Sequence, residues 1–240
     1  MLVRSNHQRI AIKLKLLFVF IQFCPLLNIS IVITVKDYSM KNILHIISSP
    51  RADQSYSKGL SSAIIDRLSQ SNNIHKIVVR DLIKEVPPLA DEVSIHEFYK
   101  HPGMYDERSN QLLSYANMIV EEVKEADVIV IGTPMYNFGI SASLKTWLDQ
   151  LIRAGITYTF DEQGNRIGQF KNKKVYLAIA SGGRKTEGNP DYLAAYLKDV
   201  LKTYAGITNV KAYWVEGTVE NGFKANYDQV LNDFTSDNES

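Results

Sequence analysis

Three short stretches carry residue types and spacings that suit the capture of a small phosphorylated, ring-bearing molecule. In the first, Ser48-Ser49-Pro50-Arg51-Ala52-Asp53-Gln54-Ser55-Tyr56-Ser57 leads from an apolar run into a helical pattern. Hydroxyls and open backbone N–H groups at a helix N-terminus are what a phosphate dianion needs. The helix dipole adds about 0.3–1 kcal/mol per such charge. A serine N-cap in a polar turn would have the same composition. The loop lacks the Gly-x-Gly-x-x-Gly of dinucleotide folds and the Gly-Lys-Ser/Thr of nucleotide triphosphatases. In the second, Gly132-Thr133-Pro134-Met135-Tyr136-Asn137-Phe138-Gly139-Ile140-Ser141 offers a flat apolar wall and backbone donors for ring carbonyls. A hydrophobic turn capped by Ser141 is its plain alternative. The third, Ala180-Ser181-Gly182-Gly183-Arg184, pairs two glycines where a planar ring could lie on bare backbone. An ordinary turn would read the same way.

Other chemistries lack their residues. There is no Ser/His/Asp set, no pair of carboxylates placed for acid–base work and no His-Glu-x-x-His. The five histidines are scattered at His7, His45, His75, His96 and His101, outside all three stretches. The single cysteine, Cys24, excludes an intramolecular disulfide and a cysteine-based metal cluster. Lys+Arg 27 against Asp+Glu 26 gives a net charge of +1. Such a balance offers no broad electrostatic case for nucleic acid or an acidic membrane surface.

The elements that must position these stretches are legible from periodicity. Ile43–Ile47, Ile77–Val79, Val128–Ile131, Val175–Ala180 and Val210–Val215 read as strands, most of them short apolar runs covered on both faces. Between them, apolar residues recur at helical spacing: Leu60 to Leu68, Leu112 to Val123, Leu144 to Ile152 and Leu193 to Tyr204. A weaker helix near Tyr227 to Phe234 comes after the last strand. Strands alternating with helices pair in parallel through right-handed crossovers. The expected fold class is therefore α/β, a three-layer sandwich around a five-stranded parallel sheet, with ligand beyond the carboxyl ends of the strands. The three stretches each come directly after a predicted strand. Two segments exceed the usual connection of about 2–6 residues. Asp81 to Arg108 carries Pro87-Pro88, Phe98, Tyr99 and Tyr105, and Gly155 to Gln169 reads as a β-hairpin turning at Gln163-Gly164-Asn165.

Residues 1–39 stand apart from residues 40–240. Arg4, Arg9, Lys13 and Lys15 precede Leu16–Val35, which holds no charge and at roughly 30 Å of helix is long enough to span a bilayer. Gln22, Pro25, Asn28 and Ser30 interrupt it, and no small-residue cleavage site lies after it. Basic flanks before a span would keep the N-terminus inside and export the rest of the chain. The expectation is a non-native or disordered leader, with a membrane anchor or a signal peptide as alternatives. The domain proper then begins at Met40.

Taken together, the three stretches resemble the FMN-dependent NADH-azoreductases, which also reduce quinones, over nearly all of Met40 to about Gly217. The most specific run is Pro134-Met135-Tyr136-Asn137-Phe138, with Leu144-Lys145 and Arg153-Ala154-Gly155-Ile156-Thr157 downstream. The resemblance implies a flavodoxin-like fold with bound FMN and NADH as reductant. It implies that Ser49, Ser55, Tyr56 and Ser57 hold the FMN phosphate and its approach, and that Met135, Tyr136, Asn137 and Phe138 pack on and hydrogen-bond the isoalloxazine. The third stretch, Ala180, Ser181, Gly182 and Gly183, departs from the family's usual Ser-Arg-Gly-Gly in its first two residues. A homodimer is also implied, with Phe160 lying over the partner's flavin as part of the substrate pocket. No side chain is then catalytic, since flavin N5 carries the chemistry. The resemblance further implies quinone or azo acceptors and a cytoplasmic setting, with no metal, no nucleic acid and no membrane unless residues 16–35 form an anchor. Arg184 and Lys185 are candidates for steering the nicotinamide phosphates. A flavodoxin-type electron carrier is the alternative, and a non-catalytic binding module on the same fold a more distant one.

Overall fold

Strands β1 (Lys41–Ile47), β2 (Ile74–Asp81) and β3 (Val128–Pro134) precede a small hairpin, β4 (Tyr158–Phe160) with β5 (Arg166–Gly168), and are completed by β6 (Lys174–Ala180) and β7 (Asn209–Val215). The computed structural model describes residues 40–186 and 191–235. The main sheet is parallel throughout, in the order β2-β1-β3-β6-β7. Its two central strands, Val-Ile-Val-Ile-Gly-Thr-Pro and Lys-Val-Tyr-Leu-Ala-Ile-Ala, are buried along their whole length. Such runs have no polar face because helices cover both sides.

The two-residue period of a strand sorts the core into two layers. Leu44, Ile46, Ile129, Ile131, Val175, Leu177 and Ile179 face α4 (Ser114–Glu125), α5 (Ala142–Leu151) and α6 (Tyr192–Val200). Ile43, Val128, Val130, Tyr176 and Ala178 face α1 (Tyr56–Ser71) and Leu231. The result is the expected three-layer α/β sandwich of flavodoxin-like form. Chain order reverses between β1 and β3, and ligands gather at such a switch point outside the strands' carboxyl ends. The loops after β1, β3 and β6 sit at that end.

Several boundaries differ from the periodic reading. The edge strand β2 is longer than Ile77–Val79, and both of those residues are exposed, so apolar content understated its extent. The stripe from Leu112 to Val123 is broken at Leu113, giving α3 (Glu107–Leu112), whose cap is Asp106, and then α4. The long segment after β2 contains α2 (Glu92–Tyr99), set by a capping box between Asp91 and Ser94. Helix α6 stops at Val200 and continues as one wider turn, Leu201–Ala205, ended by Gly206 at φ 77°. After β7, α7 covers only Tyr227–Val230. The hairpin forms as expected, with the Asp161 carboxylate accepting from the Gln163 and Asn165 N–H groups. The run Leu16–Val35 and the rest of residues 1–39 lie outside the described residues. Among the described residues no helix is long and apolar enough to cross a membrane.

Candidate functional site

The loop after β1 delivers hydroxyls to the start of α1. Ser55 is the N-cap, its Oγ accepting from Lys58 N–H at 3.2 Å, and Ser57 Oγ lies 3.1 Å from Ser55 Oγ. The Tyr56 and Ser57 amides occupy the first helical turn, where no intrahelical acceptor exists. Ser49, Ser55 and Ser57 are buried, so these hydroxyls belong to a fixed wall. Arg51 places its guanidinium 5.5 Å from the Tyr56 ring centroid beside them. Behind the loop, His45 is buried in β1 with Nε2 2.7 Å from Ser61 Oγ. Burial, reinforced by Lys58, pushes its pKa from 6.5 down to about 4. His45 is thus a neutral core residue near neutrality and supplies no charge to an anion.

The second loop is a tight reversal. Tyr136 N–H donates to Gly139 O at 3.0 Å and Gly139 N–H to Tyr136 O at 2.9 Å, while Asn137 (φ 50°) and Phe138 (φ 64°) occupy the left-handed region. Two such residues between two such bonds define a type I′ turn. Asparagine tolerates that conformation, but for phenylalanine it costs about 1–2 kcal/mol. The phenylalanine ring is held out into solvent, 61% exposed, with an edge contact to Tyr192 at 5.9 Å. Backbone strain of this kind concentrates at functional sites.

The third loop is latched to the second, since Met135 N–H donates to Ala180 O at 2.8 Å. Ser181 Oγ donates to Gly183 O at 2.8 Å, and Thr218 donates to Ser181 O through both its N–H and its hydroxyl. The bonds fix Gly182 and Gly183 without using either as a turn glycine, for neither has a positive φ. At Gly183 an added Cβ would meet no atom of the described residues within 4 Å. Gly183 is exposed, and the open space beside it leaves room for a planar group on the bare backbone.

Two adjoining cavities unite these loops. The smaller, about 260 Å³, is lined by Ser49, Ser55, Tyr56, Ser57, Met135, Tyr136, Ala180 and Gly182 together with Arg51, Thr218 and Val219. The larger, about 380 Å³, is lined by Met135, Asn137, Phe138, Ser181, Gly182 and Gly183 together with Arg184, Lys185, Asp191, Tyr192 and Trp214. They share Met135 and Gly182. One end is therefore rich in hydroxyls and helix-terminal amides, and the other combines aromatic side chains and glycine backbone with the charged Arg184, Lys185 and Asp191. Every residue expected at the cofactor from sequence lies on one or other wall. Phe160 lines neither: it is 55% exposed on the hairpin, 5.5 Å from the Tyr158 ring, with the Arg166 guanidinium 5.8 Å away.

Sequence reasoning missed Thr218, Val219, Tyr192 and Trp214, which no local motif marks. Arg51 was visible only as a cation inside the serine loop. Arg184 and Lys185 do reach the cavity, but neither is a free cation. Arg184 donates to Glu220 through Nε and Nη2 at 2.6 and 2.7 Å, which holds the Glu220 carboxyl below the usual carboxylate range. Lys185 pairs with Asp191 at 3.0 Å and lies 3.8 Å over the Trp214 ring. The Arg153–Thr157 motif acts at a distance from the cavities. Arg153 N–H donates to Thr157 Oγ1 and the Thr157 hydroxyl to Arg153 O, closing the turn that launches the hairpin.

Comparison with known proteins places this architecture. Residues 41–236 match a family described as having a flavodoxin-like fold. The chain is 37% identical over 178 residues to FMN-dependent NADH:quinone oxidoreductase 6 of Burkholderia lata, covering 74% of this chain and 89% of the relative. It is 37% identical over 175 residues to the FMN-dependent NADH:quinone oxidoreductase of Erythrobacter litoralis, covering 72% and 85%. Among solved structures, an azoreductase from Bacillus anthracis superposes with a TM-score of 0.65 at 28% identity, over 75% of this chain and 88% of that one. An FMN-dependent NADH-azoreductase from Bacillus anthracis, crystallised with FMN, shares the fold at a TM-score of 0.67 and 22% identity, over 80% and 93%.

Proposed function

The chain belongs to the flavodoxin-like family of FMN-dependent NADH:quinone oxidoreductases and azoreductases, and we propose that the double cavity beyond β1, β3 and β6 is its FMN site. The protein is an FMN-dependent oxidoreductase that passes two electrons from NADH to quinones and cleaves aromatic azo compounds to amines. The carrier alternative falls to the relatives' names, which are those of enzymes acting on NADH and quinone. The observation that carries the site assignment is that the three loops line two cavities sharing Met135 and Gly182, with open space beside Gly183.

Ser49, Ser55 and Ser57, with the Tyr56 and Ser57 amides, would hold the phosphate, and Arg51 would face it from the open side. The strained Asn137–Phe138 turn would present backbone N–H groups to the polar edge of the ring, while Met135 and Gly182–Gly183 support its faces. Bound FMN supplies the two-electron chemistry, taking electrons from NADH and giving them to the acceptor. The protein's part is position and polarity. Phe138, Tyr192 and Trp214 leave a slot of aromatic edges, in which a nicotinamide or a quinone stacks in turn. A quinone takes two electrons and two protons to become a hydroquinone, and an azo bond takes four of each to become two amines, so it requires two passages.

Two finer readings accompany this one. Two copies pair, with Phe160 of each hairpin lying over the other copy's site; the exposed ring, supported by Tyr158 and Arg166, favours that arrangement. The protein works in the cytoplasm, where its reductant is made. The test is the visible spectrum of the purified protein and its oxidation of NADH with and without benzoquinone. Yellow protein that consumes NADH only with acceptor is expected. Colourless protein that binds no added FMN overturns the proposal.

A further inference from the structure

The rim of the ring cavity carries a charge arrangement that bears on which acceptors enter. Among the described residues lining that cavity, the charged side chains are Arg184, Lys185 and Asp191. Lys185 is neutralised by Asp191 and lies over Trp214. Arg184 is engaged in a two-pronged pair with Glu220, which comes from the loop after β7 and does not line the cavity. The rest of the wall is Met135, Phe138, Tyr192, Trp214, the neutral polar side chains of Asn137 and Ser181, and bare glycine backbone. Both cations at the mouth are therefore paired with carboxylates, and the rest of the lining carries no charge.

Resting on the oxidoreductase reading, we propose that Glu220 is a specificity residue that suits this enzyme to uncharged aromatic acceptors and disfavours those bearing a sulfonate or carboxylate. Among the described residues of this chain's own wall, an anion entering the slot meets no uncompensated positive charge, and the Asp191 carboxylate lines the same cavity. The rim is exposed, so the discrimination is electrostatic and weakens as salt rises. Removing the Glu220 charge takes away both hydrogen bonds of the Arg184 guanidinium and leaves it only the weaker field of Glu216. One such charge acting over roughly 6 Å of partly aqueous medium changes an encounter about three- to tenfold.

The experiment compares kcat/KM for an uncharged naphthoquinone and its sulfonated counterpart, at fixed NADH, in wild-type protein, Glu220→Gln and the double variant Arg184→Gln/Glu220→Gln. Flavin absorbance confirms loading of each. The ratio of sulfonated to uncharged cancels any effect on the NADH step. The expected ratio is below one in wild type, about three- to tenfold higher in Glu220→Gln at low salt, and back near wild type in the double variant. An unchanged ratio in Glu220→Gln, or a wild-type preference for the sulfonated quinone, overturns the inference while leaving the oxidoreductase reading intact. Flavin-loaded protein that turns over neither quinone overturns both.

Discussion

Substitution at Gly183 separates the protein's own needs from those of its cofactor. Because Gly183 has no positive φ and a Cβ there meets no atom of the described residues within 4 Å, an added Cβ costs the apoprotein no left-handed strain and no clash with them. Replacing glycine at such a position stabilises by about 0.4–1 kcal/mol, through lost freedom in the unfolded chain. The flavin experiences the opposite effect. An aromatic group buries about 150–250 Å², and a valine at Gly183 would lift the ring from roughly 100 Å² of floor, at ~25 cal/mol per Å². That is about 2.5 kcal/mol, or close to 70-fold in Kd. Thermal melts of flavin-free protein, with fluorescence titration by FMN, check both halves for Gly183→Ala and Gly183→Val. Melting temperature should rise slightly in each, and FMN affinity should fall modestly for alanine and steeply for valine. Wild-type FMN affinity in Gly183→Val would refute the placement of the ring on this backbone.

Ser55→Ala removes a helix cap and, on the proposed phosphate placement, a phosphate ligand; stability should drop by about 1 kcal/mol, with weaker binding of FMN and unchanged binding of riboflavin, which lacks the phosphate, by titration. Phe138→Gly relieves about 1–2 kcal/mol of left-handed strain against similar losses in chain entropy and in the Tyr192 contact, so denaturant melts should show apoprotein stability unchanged within about 1 kcal/mol despite the loss of a large aromatic residue. His45 binds its proton less well folded, near 4, than unfolded, near 6.5. The unfolded chain therefore holds more protons between those values, and stability is lost as pH falls from about 6.5 to about 4, by about 3 kcal/mol in all. Urea melts across that range should lose this slope in His45→Gln.

How much of the fold and site was legible in the sequence depends on the range over which each signal acts. The central strands announce themselves because burial on both faces demands an uninterrupted apolar run, as in Val128–Ile131. The Ser55 cap and the hairpin turn at Gly164 are local too, each set by bonds spanning a few residues. Where two signals compete, the pattern misleads. Ile77 and Val79 look like core yet lie on an exposed edge strand. The apolar stripe around Leu113 hides a break at that residue, where one helix ends and the next begins. In the second loop the glycine draws the eye, but Gly139 is conformationally ordinary, and the left-handed positions fall on Asn137 and Phe138.

Charge at the mouth of the site shows where local reading ends. Arg184 and Lys185 come directly after the glycine pair, and in sequence they look like two free cations waiting for phosphates. Their electrostatic meaning depends on Glu220, 36 residues further on, and on Asp191, which the fold returns to the same rim. An exposed ion pair of this sort adds little stability, typically about 0–1 kcal/mol. Stability is therefore a weak reason for a two-pronged carboxylate at this position. Its consequence lies in the potential met by an arriving molecule, and that potential depends on the partner as much as on the cation. The three loops built from contiguous residues would fix where a flavin sits, whereas contacts between distant residues govern what reaches it.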